Sequence, residues 1–433
     1  MESKIIFTTP ILYYPAMGGP TLRIHTSLLA LSRVAEVHLI ARIPLQNIGG
    51  NSAVDFYSSI VEKFLFLPSV KVMSSLFVRI VRKLLKLFLK PLNIFLERFC
   101  KMSFNLVDSI KVSDTDFIVE YAKKNAIDII WCGYGNISYE LMKEIKAKAP
   151  WIKVVCDTDS VWSRFILREL PYERDLLRQQ EILSSGGQKE KEENDWVRFC
   201  DVTTAVSEID AEYYRQLLPD CDAGKIKLFS NVIELDFYKE KLNKNERVTS
   251  PCVHLAGTFG KNSPMEKAAR WFVDEVFPLI KFDVPDITLN IVGNNSDTVL
   301  SDIKDQSIKI FGRVDNIMNF LPYAEVAVVP LFFESGTRFK ILEAAAARVP
   351  IVSTVLGAEG IPLVHNQGIF ITDDPKKFAE YTVRLIRDKA LAERIIENAY
   401  SLISRNYSVD ALTNEAGIIL KYLINSDKKI KGD

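Results

Sequence analysis

The sequence predicts an α/β protein built from two doubly wound domains in tandem. Short apolar segments rich in β-branched residues alternate with helical segments along most of the chain. This alternation is typical of parallel sheets that are covered by helices on both faces. A charged stretch, "KEKLNKNERVTS" (239–250), interrupts the alternation, which then starts again. The length of 433 residues is ample for two such domains.

The first series of segments begins near the N-terminus. "KIIFTTP" predicts a buried strand, "TLRIHTSLLALSRV" a helix and "EVHLIAR" the next strand. Further strands are predicted at "IDIIWCG", "IKVVCDT" and "CDVTTAVS", each with a helix before or after it. We therefore expect a first domain over residues 1–235, followed by a linker over 236–250.

The second series predicts a domain over residues 251–410 and a C-terminal helix and tail over 411–433. Its strands are predicted at "CVHLAGTFG", "ITLNIVG", "IKIFGRV", "EVAVVP", "PIVST" and "GIFIT". Its helices are predicted at "MEKAARWFVDEVFPLI", "IMNFLPYA" and "RFKILEAAAARV". Parallel sheets bind ligands at the carboxyl ends of their strands, so we expect the site in the cleft between the two domains.

Composition and charge argue against several classes of protein. The 55 basic and 55 acidic residues cancel, which disfavours a nucleic-acid partner. The six cysteines form no CxxC pair and no Cys/His cluster, as is typical of a reduced protein without a structural metal. Because no signal-peptide pattern and no run of about 20 apolar residues is present, we expect a cytoplasmic protein.

One segment, 71–103, predicts contact with a membrane surface. Its core, "SLFVRIVRKLLKLFLKPLNIFLERFCK" (75–101), is helical in pattern and places five cations on one face and apolar residues on the other. The cations are Arg79, Arg82, Lys83, Lys86 and Lys90. A basic amphipathic helix binds anionic lipid, here at the inner face of the membrane. The alternative is a helix packed on its own domain with its lysines in water.

The stretch "LFFESGTRFKILEAAAARVPIVSTVLGAEG" (331–360) predicts an anion site at the start of a helix. Thr337 is the expected N-cap, and Gly336 lets the backbone approach a ligand closely. Arg338 and Lys340 in the first turn oppose the helix dipole, at a cost of a few tenths to about 1 kcal/mol each. A phosphate bound at this helix start would make both cations favourable.

Glu343, one turn further along, extends this prediction to a nucleotide. We expect a buried carboxylate that accepts two hydrogen bonds from a vicinal diol such as that of a ribose. Phosphate donors beside a diol acceptor describe a nucleotide site. The alternative is that Lys340 and Glu343 form an ordinary i,i+3 surface ion pair worth about 0.3 kcal/mol.

The segment "PLFFESGTRFKILEAAAARVPIVSTVLGAEGI" resembles the donor-binding signature of glycosyltransferase family 4, a GT-B group of retaining sugar transferases. It is similar to the subgroup whose loop reads Gly-Thr-Arg-hydrophobic-Lys. Other segments resemble the family in the same order: "GGPTLR", "CDVTTAVSEIDAEYYR", "FSNVIELDFY" and "FGRVDNIMNFLPYAEVAVVPL". Most of the chain is covered, except residues 45–120. The resemblance implies two Rossmann-like domains, the first for the acceptor and the second for a nucleotide-sugar.

The resemblance also implies roles for individual residues. Arg338 and Lys340 would contact the diphosphate and stabilise the leaving group, and Glu343 would bind the ribose. The remaining donor-site residues are Gly18 and Gly19 over the diphosphate, Gly312, Arg313 and Val314 at the base, and the backbone of Ser335, Gly336 and Thr337 at the sugar. The anomeric configuration would be retained without a metal or another cofactor, and catalysis would rest on positioning and on stabilisation of the leaving diphosphate.

Two aspartates depart from the family pattern, in which many members carry a histidine after the strand "IKVVCDT". Asp157 and Asp159 stand there instead. We expect Asp159 to face the acceptor hydroxyl or the donor sugar, with a structural turn as the alternative. An Asp-x-Asp after a strand is also the metal–diphosphate site of the other transferase fold, GT-A, and that alternative predicts bound Mn²⁺ or Mg²⁺.

We therefore expect a metal-independent, retaining hexosyltransferase that acts on a glycan or lipid-linked acceptor in surface polysaccharide biosynthesis. Two other functions stay open at this point. One is a GT-B-fold nucleotide-sugar epimerase, and the other is a non-catalytic nucleotide-sugar-binding subunit of a transferase complex. The donor's sugar and base (uridine or guanosine) are not legible in the sequence.

Overall fold

The computed structural model describes residues 3–67, 114–218, 223–240 and 242–430, and only the backbone over 426–430. The predicted basic segment 71–103, with its membrane-binding helix 75–101, lies outside the described residues. Its contact with a membrane therefore stays a prediction. Among the helices that the structure describes, none combines the length and the apolar character needed to cross a membrane.

The first sheet has seven parallel strands in the order β3-β2-β1-β4-β5-β6-β7. The strands are β1 (Ser3–Thr9), β2 (Ala35–Ala41), β3 (Lys63–Phe66), β4 (Ile129–Gly133), β5 (Lys153–Asp157), β6 (Val202–Ala205) and β7 (Ile226–Leu228). The central strands β4 and β5 are buried at every position, because helices cover both faces of the sheet. The order reverses direction beside β1, which is where doubly wound sheets bind ligands.

Seven α-helices in the described part of the chain surround this sheet. They are α1 (Gly19–Leu31), α2 (Asn51–Ile60), α3 (Asp114–Asn125), α4 (Tyr139–Lys148), α5 (Trp162–Leu167), α6 (Leu176–Phe199) and α7 (Glu208–Gln216). Caps set two of their starts: Asp175 accepts hydrogen bonds from the first turn of α6, and Ser207 does so for α7. The strands β3 and β7 were not among the predicted elements.

The second sheet has six parallel strands in the order β10-β9-β8-β11-β12-β13. The strands are β8 (Cys252–Ala256), β9 (Thr288–Val292), β10 (Ile308–Ile310), β11 (Val326–Val329), β12 (Ile351–Ser353) and β13 (Phe370–Ile371). Each agrees with one of the predicted apolar segments. The prediction of two Rossmann-like, doubly wound domains is confirmed by the two parallel sheets.

The helices of this second part differ from the prediction at several places, since those at 296–299, 375–387 and 389–406 were not among the predicted elements. The helices are α8 (Pro264–Trp271), a π-helical turn (Phe272–Val276), α9 (Phe277–Asp283), α10 (Ser296–Val299), α11 (Phe339–Ala346), α12 (Pro375–Arg387) and α13 (Lys389–Asn406). The predicted helix "IMNFLPYA" is wrong, since two 3-10 turns, Ile317–Asn319 and Leu321–Tyr323, replace it. Pro322 lacks the N–H that an α-helix needs at this point.

The last helix, α14 (Val409–Ile430), returns to the first sheet and packs against α1. The chain passes from the first sheet to the second over residues 229–251, here called the chain crossing, and returns at residues 407–408. The two segments lie side by side, and the N–H of Ile233 donates to the carbonyl oxygen of Tyr407 at 3.1 Å. Glu415 on α14 accepts hydrogen bonds from the N–H and hydroxyl of Ser230 at 2.7 and 2.8 Å. Ser230, in the segment that leads to the second sheet, is thus hydrogen-bonded to α14, the helix that follows the second sheet.

Candidate functional site

The loop between β11 and α11 crosses the cleft and contacts the segment that follows β5 of the first sheet. Gly336 in this loop has φ +77°, and a Cβ at this position would lie 2.7 Å from the carbonyl oxygen of Asp159 and 2.9 Å from Cβ of Ser160. A side chain therefore fits neither the backbone conformation nor the space. Gly336 thus lies close to the segment after β5, and its predicted approach to a ligand stays a prediction.

Thr337 does not cap α11 as predicted. The N-cap position is Arg338, which makes no side-chain capping bond. The hydroxyl of Thr337 instead accepts a hydrogen bond from Nδ2 of Asn231 at 2.9 Å. The hydroxyl oxygen that was predicted to accept a hydrogen bond from the first turn of α11 therefore accepts one from Asn231, which is distant in sequence.

Arg338 is 3% exposed, and its guanidinium turns back on its own loop. It donates hydrogen bonds to the carbonyl oxygens of Gly336 and Leu356, the latter at 3.1 Å. Its Nε lies 3.6 Å from a carboxylate oxygen of Glu334. Burial lowers the pKa of Arg338, although Glu334 and Glu359 act in the opposite direction. The side chain fixes the loop in this arrangement, and its contact with a diphosphate stays a prediction.

Lys340 stands in the first turn of α11 and is half-buried. It forms no ion pair within 4 Å with any residue that the structure describes, so the alternative of a Lys340–Glu343 surface pair is not found. Its charge is still close enough to lower the pKa of Glu343. An uncompensated cation at a helix N-terminus is the arrangement that favours an anionic ligand.

Glu343 lies on the face of α11 that meets the chain crossing. It is half-buried, and Oε1 accepts a hydrogen bond from the hydroxyl of Tyr238 at 3.0 Å. Burial raises the pKa of Glu343, and the hydrogen bond from Tyr238 and the charge of Lys340 oppose that shift. Sequence reasoning missed Tyr238, because nothing in "ELDFYKEK" marks a tyrosine that contacts a residue 105 positions away.

The predicted glycine loop lies opposite α11. Gly18 has φ +79° and precedes the first residue of α1, Gly19. A Cβ on Gly19 would lie 3.3 Å from Cδ2 of Phe339, which is the first residue of α11. The N-termini of two helices, one from each domain, therefore lie close together across the cleft, and helix N-termini carry free backbone N–H groups.

The three residues predicted at the base follow β10. Gly312 has φ +70°, and a Cβ there would lie 2.9 Å from Cγ of Asp297. Arg313 is exposed, and Val314 is half-buried against an apolar cluster. Because the strands of this sheet are parallel, these residues lie at the same edge as the loop after β11. Ser335, on that loop, has a buried hydroxyl oxygen without a hydrogen-bond partner among the described residues.

The two aspartates after β5 have different surroundings. Asp157 is fully buried and accepts hydrogen bonds from Arg23, from Nε1 of Trp131 at 3.0 Å and from the hydroxyl of Thr204 at 2.9 Å. The GT-A metal alternative for this motif is contradicted by the two-domain fold. In the described part of the chain, no cluster of three or more His, Cys, Asp or Glu is placed to hold a metal ion.

Asp159 is half-buried beside the loop between β11 and α11, residues 330–338, which we call the donor loop after its predicted role. Its Oδ1 accepts hydrogen bonds from Nδ2 of Asn136 at 2.6 Å and from Nε1 of Trp162 at 3.0 Å. Burial raises the pKa of Asp159, and these two hydrogen bonds lower it in part. The structure brings Asp159 together with Gly336, and its part in catalysis stays a prediction.

A second set of contacts across the cleft was not predicted. Both terminal nitrogens of Arg168 bind the carboxylate of Glu359, at 2.7 and 2.8 Å, and one of them also donates to the carbonyl oxygen of Glu334 at 2.7 Å. Arg164 lies 3.6 Å from the same carboxylate. Arg164 on α5 and Arg168, which follows it, thereby join the first domain to the loops after β11 and β12. Neither arginine carries a sequence signal beyond its charge.

Residues 253–388, most of the second sheet and its helices, match the family model "Glycosyl transferases group 1". An uncharacterized 44.6 kDa protein in the cps region of Klebsiella pneumoniae is 26% identical over 147 residues. That alignment covers 32% of this chain and 38% of the relative.

Three solved structures share the fold over nearly their whole length. Anabaena Alr3699/HepE, in complex with UDP and glucose, is 12% identical with a TM-score of 0.62, covering 97% of this chain and 99% of that one. Thermosynechococcus elongatus sucrose-phosphate synthase is 14% identical with a TM-score of 0.66, over 98% and 100%. A glycosyltransferase from Rickettsia africae is 15% identical with a TM-score of 0.59, over 98% and 99%. The family match is confined to residues 253–388, and these structures share with the whole chain the GT-B fold of two Rossmann-like domains.

Proposed function

We propose that the protein is a retaining glycosyltransferase of the family 4 type that transfers a hexose from a nucleoside-diphosphate sugar. The observation that carries this proposal is the meeting of two helix N-termini across the cleft, with Lys340, which forms an ion pair with none of the described residues, at one of them. Free N–H groups and a cation around one space suit a diphosphate. Glu343, one turn along α11, supplies the acceptor for a ribose diol.

The base of the donor is proposed to be uracil. Support comes from Anabaena Alr3699/HepE, which shares the fold and was solved with UDP and with UDP-glucose. Gly312, Arg313 and Val314, at the carboxyl end of β10, are proposed to contact the base. The backbone of Ser335, Gly336 and Thr337 is proposed to contact the sugar.

In the proposed reaction the acceptor hydroxyl attacks the anomeric carbon on the face from which the diphosphate leaves. The new bond joins the acceptor oxygen to the anomeric carbon, the bond from that carbon to the diphosphate oxygen breaks, and the hydroxyl proton passes to the departing phosphate. Lys340 and the helix N–H groups stabilise the charge that develops on the diphosphate. Arg338 fixes the loop that holds these groups, and Asp159 orients the donor sugar or the acceptor.

The acceptor is proposed to be a glycan or a lipid-linked glycan in surface polysaccharide biosynthesis. Support comes from the relative in the cps region of Klebsiella pneumoniae. We further propose a cytoplasmic enzyme that binds the inner face of the membrane through residues 75–101.

A ligand panel tests the donor part of the proposal. Thermal unfolding is measured with UDP, GDP, ADP, CMP and dTDP on the wild type, on Glu343→Ala and on Glu380→Ala, an exposed glutamate on α12 that serves as the control. A ligand at about 100 times its Kd adds about 2.7 kcal/mol of stability. We expect UDP to stabilise the wild type and the control but not Glu343→Ala; stabilisation by none of the five overturns the proposal. Incubation with a UDP-sugar and acceptor then separates a transferase from an epimerase or a binding subunit.

A further inference from the structure

The carboxylate of Glu343 is held by a residue from outside the donor loop. Tyr238 closes a 3-10 turn, Leu235–Tyr238, in the chain crossing between the two sheets. Its side chain is 7% exposed, and its hydroxyl donates to Oε1 of Glu343 at 3.0 Å. Phe237 beside it is 48% exposed, so the turn directs the tyrosine inward and the phenylalanine outward.

Tyr238 acts in this contact as a donor only. Burial and the negative charge of Glu343 raise the pKa of Tyr238 well above its ordinary value, so the phenol stays protonated. The charged groups near the pair are Lys340, on the same helix as Glu343, and Glu234, at the start of the chain crossing. An ionised carboxylate has about four lone-pair positions, and Tyr238 occupies one of them on Oε1.

We propose that Tyr238 is a positioning residue that orients the Glu343 carboxylate for a ribose diol and so makes the site selective for ribonucleotides over 2′-deoxyribonucleotides. This inference rests on the proposed function, in which Glu343 accepts hydrogen bonds from the ribose. A carboxylate that is fixed on one oxygen presents its remaining lone pairs in one direction, where a 2′ and a 3′ hydroxyl reach both oxygens together. A carboxylate that rotates presents them in several directions and distinguishes the two sugars poorly.

The variant Tyr238→Phe removes the hydroxyl and keeps the buried ring. We expect the affinity for the ribonucleotide to fall by a factor of about 3 to 10, because the ligand must then immobilise the freed Glu343 side chain. The affinity for the 2′-deoxyribonucleotide is expected to fall less, because that ligand makes only part of the diol contact. The ratio of the two dissociation constants therefore moves toward one, which a purely structural role of Tyr238 would not cause.

Isothermal titration calorimetry with UDP and 2′-deoxy-UDP, and with GDP and 2′-deoxy-GDP, tests the proposal. The proteins are the wild type, Tyr238→Phe, Glu343→Gln, the double variant, and the control Tyr121→Phe, whose hydroxyl binds His38 on the first sheet. We expect the effects of Tyr238→Phe and Glu343→Gln to be strongly non-additive, and the control to keep the wild-type ratio.

The outcomes separate this inference from the proposed function. Additive effects of the two substitutions, or an unchanged ratio in Tyr238→Phe, overturn the role of Tyr238 while the nucleotide site stands. A wild type that binds neither UDP nor GDP overturns both. Melting curves of the unliganded variants identify a loss of folding, and a second variant, Tyr238→Leu, then repeats the ratio measurement with a smaller apolar side chain that has no hydrogen-bond donor.

Discussion

Asn231 donates a hydrogen bond from Nδ2 to the hydroxyl of Thr337 at 2.9 Å and accepts one on Oδ1 from Arg23 at 3.1 Å. Arg23 in turn binds the buried carboxylate of Asp157. A continuous polar chain thus runs from the carboxyl end of β5, through α1, to the donor loop of the other domain. It fixes the two facing helix starts relative to each other before any ligand binds.

The variant Arg23→Met tests how much this chain contributes to folding. It leaves the Asp157 carboxylate buried without its cation, so we expect a loss of about 3–5 kcal/mol in the free energy of unfolding. Urea denaturation measures the loss. The matched control is Lys4→Met, which breaks an exposed pair with Glu36 and should cost at most about 1 kcal/mol. Equal effects of the two substitutions would contradict the role of Arg23.

The variant Asn231→Ala tests the coupling of the chain crossing to the donor loop. It removes the amide that donates to Thr337, and Arg23 keeps its hydrogen bonds to backbone oxygens and to Asp157. We expect UDP affinity to fall by a factor of about 3 to 10, the worth of one neutral hydrogen bond. Thr337→Val removes the other partner and should cause a similar loss, with no further loss in the double variant. Independent, additive losses would show that the two side chains act separately.

The hydrogen bonds from Arg168 to Glu359 and Glu334 should affect the rate of turnover more than the free energy of unfolding. In Arg168→Gln the cleft loses a contact that positions the donor loop against α5, and we expect kcat to fall roughly 10- to 100-fold. UDP affinity, for which the second domain supplies most of the proposed contacts, should change much less. Steady-state kinetics and calorimetry measure the two effects. The control is Arg178→Gln, which breaks an exposed pair with Glu181 and should leave kcat unchanged.

Chelation tests whether a metal takes part in the proposed reaction. Asp157, in the motif that suggested a metal, is already bound by three protein donors. We expect turnover to be the same in EDTA and in added Mn²⁺. A strict requirement for Mn²⁺ would show that carboxylates elsewhere in the cleft hold a metal with the donor diphosphate.

The fold followed from the sequence because each strand of a parallel sheet is marked by its own apolar, β-branched segment. The exceptions have local causes. Lys63–Phe66 and Ile226–Leu228 are short edge strands whose residues are mostly not fully buried, so they carry little apolar signal. "IMNFLPYA" has a helical pattern of apolar residues, but Pro322, in the second 3-10 turn, lacks the N–H that would continue one α-helix from the first.

The site followed from the sequence only in part, for a different reason. Gly336 and Glu343 were recognised by a pattern within ten residues of chain. Thr337 and Tyr238 take their roles from partners 106 and 105 positions away, and no local pattern encodes such distances. Arg338 was predicted to reach toward a ligand, but its guanidinium donates to the carbonyl oxygens of Gly336, in its own loop, and of Leu356, in the loop after β12.

The pH dependence of the free energy of unfolding should show how much the buried charge of Glu343 destabilises the unliganded protein. Burial raises its pKa in the folded protein above the ordinary value of 4.5. The stabilising contribution of its protonated form is therefore complete below the unfolded pKa and is lost as the pH rises through the folded pKa. At pH 7.5 the wild type carries a partly desolvated negative charge that Glu343→Gln lacks.

We expect unliganded Glu343→Gln to melt at a higher temperature than the wild type at pH 7.5, and the difference to shrink as the pH approaches 4. UDP should reverse the order at pH 7.5, because only the wild type gains the ribose contact. Differential scanning fluorimetry across pH, with and without UDP, measures both effects, and the exposed Glu380→Gln should follow the wild type throughout. A variant that is less stable than the wild type at pH 7.5 would mean that the hydrogen bond from Tyr238 outweighs the burial of the charge.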